Sequence, residues 1–353
     1  MKLLIMAGGT GGHVYPALAV AQHLRARGHD IVWMGAPDSF ESRVVPANGI
    51  ALEVVRVSGL RGKGVLKLLQ APLLIVRAVW QALRILRRVR PDAVLGMGGF
   101  AAGPGGIAAW LARRPLVIHE QNAAAGLTNR ALARLARRVL QAFPNTFRNA
   151  RTVGNPVRAG FAELPTPALR LDRAGAPRVL VVGGSQGAKA LNERVPQALA
   201  LMQPGERPSV RHQAGRTLEV AHRAYLTAGV TAEVTAFIDD MPAAMAWADL
   251  IVCRSGASTI AELSAAGAAS VLVPFPAAVD DHQTKNADYL VRAGAAVRIA
   301  ESELNAERLA AILRELLSDR RRLLAMADAA RTCAWHDATA VIADECLQAA
   351  GAQ

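Results

Sequence analysis

Met6-Ala7-Gly8-Gly9-Thr10-Gly11-Gly12-His13 is the stretch that most restricts how this chain can fold. It follows Leu3-Leu4-Ile5, which reads as a short buried strand. It precedes Val14 to Leu24, which reads as a helix with Pro16 tolerated in its first turn. Strand, glycine loop and helix together aim backbone N–H groups and the positive end of a helix dipole at an anion. Glycine is wanted there because a Cβ would hold a ligand away from the backbone. No Gly-Lys-Ser/Thr follows, so this is not a Walker loop. It also fits a nicotinamide fingerprint poorly, because the second strand, Ile31-Val32-Trp33-Met34, ends at Gly35 where an acid would be wanted for the ribose. Alone, the loop also reads as a tight βα turn without a ligand.

The unit recurs. Arg178 to Val182 is a second apolar strand, running into Gly183-Gly184-Ser185-Gln186-Gly187-Ala188 and a helix from Lys189. Two such units, each opening a βα series, predict an α/β chain of two Rossmann-like halves facing each other across a cleft. A length of 353 residues fits two cores better than one. With 52% hydrophobic and 20% charged residues the chain is globular. Three scattered cysteines, Cys253, Cys333 and Cys346, exclude a disulfide framework or a zinc site and favour a reducing cytoplasm. The brief apolar start at Met1 is shorter than a signal-peptide core and is used up by the first strand.

In the first half, strands are expected at 31–34, 52–55, 92–96, 116–119, 139–140 and 152–153, with a short helix at 39–47. Ser58 to Gly64 is basic, glycine-rich and reads as a loop. Val65 to Val89 is apolar but carries Lys67, Arg77, Arg84, Arg87 and Arg88, with Pro72 interrupting it. It is too charged to span a bilayer and reads as an amphipathic helix with a basic rim. Its apolar residues belong either to the sheet-facing core or to a patch facing a membrane. His119-Glu120-Gln121-Asn122 falls at the carboxyl end of a strand, where open α/β sheets bind ligands. Residues 154–177 read as hinge and linker, with the domain boundary near 160.

In the second half, strands are expected at 178–182, 209–213, 231–235, 249–253, 270–273 and 295–299, and the region 305–350 reads as helical. Arg254-Ser255-Gly256-Ala257-Ser258-Thr259 is another small-residue turn at a helix start, suited to phosphate. Glu262, inside that helix, either accepts both hydroxyls of a ribose or is a solvated carboxylate. Asp280 to Asn286 offers polar side chains to a sugar but lacks the spacing of a metal cage, and its Asp pair also fits a turn or cap. The formal net charge of +13 fits compositional bias, nucleic acid or an anionic membrane surface. With 4% aromatic residues and no nucleic-acid motif, nucleic acid is the poorest of the three.

The segments Gly8–His13, His119–Asn122, Gly154-Asn155-Pro156-Val157-Arg158, Gly183–Ala188, Phe237-Ile238-Asp239-Asp240-Met241 and Arg254–Ala257 occur in this order along essentially the whole chain. Together they resemble the MurG family, the bacterial glycosyltransferases that make lipid II for peptidoglycan. The resemblance implies a GT-B fold. Its domains would be an acceptor and membrane-side domain over 1–160, a UDP-sugar domain over 161–335, and a final helix in 336–353 returning to the first. It implies inverting transfer of N-acetylglucosamine from UDP-N-acetylglucosamine to the muramyl 4-hydroxyl of lipid I, with no cofactor and no essential metal. It also implies a peripheral location on the cytoplasmic face of the inner membrane and a role in cell-wall biogenesis, cell shape and division.

Carried over motif by motif, the donor contacts are Thr10, Gly11, Gly12, Asn122, Arg158, Ser185, Ile238 through its backbone to uracil, Ala257, Ser258 and Thr259 at the phosphates, Glu262 at the ribose, and Gln283 at the sugar. The role of His282 stays open. His13 is the candidate general base, since imidazole titrates in the useful range; it also fits a contact to phosphate or backbone. Two other classes compete: a sugar-nucleotide epimerase of the same architecture, and a membrane-bound scaffold that only senses the nucleotide sugar.

Overall fold

A computed structural model describes residues 1–57, 65–161 and 163–351, with the side chains of 65–70 excluded. The chain divides into two compact units, Met1–Arg158 with Asp337–Gln353, and Ala159–His336.

The first unit carries strands β1 (Lys2–Met6), β2 (Asp30–Gly35), β3 (Ala51–Val54), β4 (Ala93–Gly96), β5 (Leu116–Glu120), β6 (Arg138–Gln141) and β7 (Arg151–Thr152). Its helices are α1 (Gly11–Ala26), α2 (Phe40–Ala47), α3 (Val65–Val89), α4 (Ala102–Leu111) and α5 (Leu127–Leu132). The strands form one parallel sheet in the order β3-β2-β1-β4-β5-β6-β7. Leu3, Leu4, Ile5 and Met6 are all fully buried, because helices cover both faces of a parallel sheet and an unbroken apolar run is what such a strand requires.

The second unit holds β8 (Arg178–Val182), β9 (Ser209–Gln213), β10 (Glu233–Thr235), β11 (Leu250–Cys253), β12 (Ser270–Leu272) and β13 (Ala296–Arg298). Around them run α6 (Pro167–Leu171), α7 (Lys189–Ala200), α8 (Leu218–Ala228), α9 (Met241–Trp247), α10 (Ala257–Ala266), α11 (His282–Arg292), α12 (Ala306–Leu317) and α13 (Arg320–Thr332). Its sheet is again parallel, in the order β10-β9-β8-β11-β12-β13. In both sheets the strand order reverses beside the first strand, between β1 and β4 and between β8 and β11. Both glycine loops therefore leave their sheet at the switch point, where α/β sheets take ligands.

The last helix, α14 (Ala338–Ala350), belongs to the first unit. Ile342, Ala343 and Cys346 are fully buried in the core that α1 also lines. Buried Glu345 pairs with Arg151 and Arg138, at the far edge of the first sheet.

The strand expectations hold to within two residues at each end. The segment 154–177, read only as linker, contains the short helix α6. Pro72 does not interrupt α3, which is one continuous helix through it. The basic stretch Ser58–Gly64 lies outside the described residues. Among the described residues no helix is long and apolar enough to cross a membrane.

Candidate functional site

In the first unit β1 delivers Gly8 and Gly9, and α1 begins at Gly11. The His13 imidazole lies with Nδ1 3.2 Å from the Gly8 carbonyl. A carbonyl only accepts, so Nδ1 carries the proton and Nε2 is the nitrogen that can accept another. The loop after β4 supports this ring. Gly98 takes a φ of +94° with its missing Cβ aimed at the ring, where it would stand 3.1 Å from Nε2. Gly99 presses backbone to backbone against Gly8. The glycines Gly98-Gly99 are thus required by the histidine and loop they pack on.

Glu41, on α2, was not legible as a site residue: in sequence it is one more acid in the first turn of a helix. Yet it is only 2% exposed. One carboxylate oxygen accepts from Gly9 N at 2.9 Å and the other from Ala36 N at 3.1 Å. The expectation that the first loop offers its N–H groups to an anion is corrected at Gly9, whose N–H is already held by Glu41.

The strand β5 ends in Glu120, a second buried carboxylate committed to its own loop. It accepts from the backbone and side chain of Asn122 at 3.0 and 3.3 Å, from Gly126 N at 3.2 Å and from Asn129 Nδ2 at 2.9 Å. Glu120 therefore shapes the loop that presents Asn122. His119 is fully buried, with Nε2 2.9 Å from the Gly154 carbonyl, and burial lowers its pKa to about 4. This bond joins β5 to the segment that leads through Asn155, whose amide donates to Gln121 O at 2.9 Å, towards half-buried Arg158.

In the second unit Ser185 is exposed at the tip of the loop between β8 and α7. Ile238 is half-buried in the loop after β10, and Asp240 caps α9 at Ala243 N, 3.0 Å away. After β11, Gly256 caps α10, so Ala257, Ser258 and Thr259 form its first turn with their N–H groups at the positive helix end. Glu262 is 9% exposed, which removes the reading of a solvated carboxylate. Ser255 Oγ donates to Gln283 O at 2.8 Å and Asn286 Nδ2 donates to Ser255 O at 3.1 Å, tying α11 to the phosphate-type turn. Gln283 Oε1 accepts from Phe275 N at 3.0 Å. Arg254, whose individual role its motif does not reveal, donates to the Val273 and Pro274 carbonyls, pairs with Glu301 and lies over the Phe275 ring.

Thr10, Gly11, Gly12, His13, Asn122 and Arg158 thus lie in the first unit, and Ser185, Ile238, Ala257, Ser258, Thr259, Glu262 and Gln283 in the second.

The glycosyltransferase family 28 N-terminal domain matches residues 3–141 and the corresponding C-terminal domain matches residues 178–342. A protein of Alkalilimnicola ehrlichii named as UDP-N-acetylglucosamine–N-acetylmuramyl-(pentapeptide) pyrophosphoryl-undecaprenol N-acetylglucosamine transferase is 58% identical over 99% of both chains. One of the same name from Marinobacter nauticus is 54% identical over 99% of this chain and 98% of its own. The crystal structure of Acinetobacter baumannii MurG superposes with a TM-score of 0.87 at 41% identity, covering 98% of this chain and 99% of that one. The calicheamicin glycosyltransferase CalG4, at 20% identity and a TM-score of 0.70, shares the fold alone. The two parallel-sheet domains are those of the GT-B fold, and the chain belongs to glycosyltransferase family 28 and, within it, to the MurG family.

Proposed function

We propose that this chain transfers N-acetylglucosamine from UDP-N-acetylglucosamine to the muramyl 4-hydroxyl of lipid I, with inversion, giving lipid II. The observation that carries this reading is identity above one half, along nearly the whole chain, to transferases of that name. The geometry supports it. The acceptor oxygen attacks the anomeric carbon of the donor sugar as the bond to the β-phosphate oxygen breaks, and the electron pair leaves on UDP. His13 takes the hydroxyl proton at Nε2, the position left to it by the Gly8 carbonyl. The first turn of α10, Ser185 and Arg158 stabilise the diphosphate charge, and Glu262 takes the ribose. Thr10, Gly11, Gly12, Asn122, Ile238 and Gln283 complete the donor contacts.

We place lipid I and the anionic membrane surface on the first unit. Helix α3 divides along its length. Ala78, Ala82, Ile85 and Leu86 are buried against the sheet, whereas Leu73 is 73% exposed and Trp80 55%, with Val76 exposed between them. Arg84 stacks on the Trp80 ring at 4.6 Å. A basic rim beside exposed apolar side chains suits a peripheral enzyme on an anionic leaflet, each cation adding about 1 kcal/mol near the surface.

The test is to incubate the protein with labelled UDP-N-acetylglucosamine and a short-chain lipid I analogue, and to sediment it with anionic vesicles. Label should appear in a lipid-linked disaccharide only when the acceptor is present. Conversion of the nucleotide sugar without acceptor would make the chain an epimerase, and absence of turnover would leave a sensor. Vesicle binding should weaken with salt and persist in part, the persistent part being lost in Leu73→Ser/Val76→Ser.

A further inference from the structure

Beneath the second glycine loop, four side chains from separate elements form one chain of hydrogen bonds, buried at Tyr225, His212 and Asn192 and half-buried at Thr217. Tyr225 comes from α8, His212 from β9, Asn192 from the first turns of α7, and Thr217 from the turn at Gly215–Thr217. Tyr225 Oη lies 3.0 Å from His212 Nδ1, and His212 Nε2 lies 2.9 Å from Asn192 Oδ1. Asn192 Nδ2 lies 2.7 Å from Thr217 Oγ1, 3.1 Å from Thr217 O and 3.2 Å from Ala214 O.

The direction of every link follows from chemistry. The Ala214 and Thr217 carbonyls only accept, so the atom facing them is the Asn192 amide nitrogen, and the Asn192 oxygen must face His212. Nε2 of His212 therefore carries the proton, Nδ1 is the acceptor, and Tyr225 donates its hydroxyl to it. Burial lowers the His212 pKa to about 3, so the ring stays in this one neutral tautomer. Thr217 Oγ1 ends the chain at the Ala214 carbonyl, 3.1 Å away.

What the chain holds is the seat of the glycine loop. A Cβ on Gly187, at φ +80°, would run into Thr217 Oγ1 and stand 2.7 Å from Ala214 O. A Cβ on Gly215 would overlap Gly184 O and Gly187 N. Loop and turn interlock through backbone at Gly215 and through Thr217 Oγ1 and Ala214 O at Gly187, so a small shift of the turn moves the loop. The same Asn192 sits one turn into the helix that the loop opens, its N–H bonded to Ala188 O at 2.9 Å. An apolar plug would fill this space without setting orientation, whereas a fully satisfied polar chain fixes it.

We propose that Tyr225 and His212 are positioning residues for the donor half: through Asn192 and Thr217 they hold the loop 183–188 in the form that presents Ser185 and the start of α7 to a nucleoside diphosphate. This rests on the donor reading of the second unit given above. Neither residue touches the ligand.

The experiment compares the parent with Tyr225→Phe, which removes one oxygen, and with His212→Leu and His212→Gln. Amide exchange over 183–188 is read without nucleotide, UDP affinity by calorimetry, and KM separately for donor and acceptor. In Tyr225→Phe the loop amides should exchange about ten-fold faster, the cost of one buried hydrogen bond. UDP affinity should fall and the donor KM rise by a similar factor, with the acceptor KM unchanged. His212→Leu should be worse, and His212→Gln should recover part of the loss, because its amide can still donate to Asn192.

Unchanged loop exchange in Tyr225→Phe overturns the proposal whether or not UDP binds. So does a Tyr225→Phe chain that fails to fold, or one that loses donor and acceptor affinity alike, since the network is then part of the core and nothing more. If His212→Leu does not fold, Tyr225→Phe alone decides. A parent that binds no UDP sinks the donor reading, and the exchange measurement still decides the positioning.

Discussion

Under the first glycine loop sits a carboxylate; under the second sits a neutral run of phenol, imidazole, amide and hydroxyl. Glu41 reaches up from α2 to hold Gly9 and Ala36 through their N–H groups. Asn192 and Thr217, set by His212 and Tyr225, hold the turn on which Gly184 and Gly187 rest. The two units repeat a strand–loop–helix plan, yet one loop is backed by an acid and the other by neutral groups. A buried carboxylate beside the first loop opposes a diphosphate and would favour an imidazolium at His13, as the proposed role of that residue requires. The second loop has no carboxylate among its described anchoring groups, and an anion approaches it without that repulsion. The comparison teaches that similar loops differ in what lies behind them, which fits the roles proposed above: proton acceptance for the first loop, leaving-group charge for the second.

The sharpest way to break this division is at His13. His13→Ala should lower turnover by roughly 10²–10⁴-fold, the range for a lost general base, with UDP affinity unchanged. A fall in UDP affinity that accounts for the whole defect would assign the first loop to the diphosphate and end the contrast.

Acid should act on both units through a buried neutral histidine. His119 titrates at about 4 and His212 at about 3 when folded, against an ordinary 6.5, because burial disfavours the charged ring. Above pH 6.5 both states are neutral and neither histidine contributes. As pH falls below 6.5 the unfolded chain binds the proton first, so stability drops until the folded ring titrates, near pH 4 in the first unit and pH 3 in the second. The full loss is on the order of 3 kcal/mol for His119 and about 5 kcal/mol for His212. Denaturant unfolding at pH 7, 5 and 4 should show the slope, and His212→Gln should flatten it relative to the parent by the share of the second unit alone. An identical pH dependence in parent and mutant would contradict the buried neutral ring.

The smallest effects come from the loops themselves. Gly187→Ala meets both a left-handed φ and the backbone oxygen of Ala214. Gly8→Ala meets the flexible end of Glu41. Each should cost about 1–3 kcal/mol in thermal or denaturant unfolding, Gly187→Ala the more of the two. Gly8→Ala combined with Glu41→Ala should cost less than the sum of the single changes, because both disturb one contact. Additive losses would show that Glu41 does not anchor the first loop.

Local pattern was enough to read the two parallel sheets, both glycine loops, the helix start at Lys189, a helix after the turn at 254–259, and an amphipathic helix in 65–89, though not its continuity through Pro72. Each depends on residues adjacent in the chain: an apolar run buried on both faces, a glycine turn, a helical period. The motifs were likewise enough to name the family.

Only the tertiary structure decided which side chains sit behind those loops, because they arrive from elsewhere. Glu41 lies 32 residues from Gly9, and Gly98 reaches His13 from another strand. His212 lies 20 residues from Asn192 and 13 from Tyr225. It also decided which residues of α3 are core and which face outward. In sequence Glu41, Glu262 and Glu345 look like ordinary helix carboxylates. Burial is a property of the packed neighbours, so no local pattern can distinguish a carboxylate closed in by backbone N–H groups or arginines from one left in water.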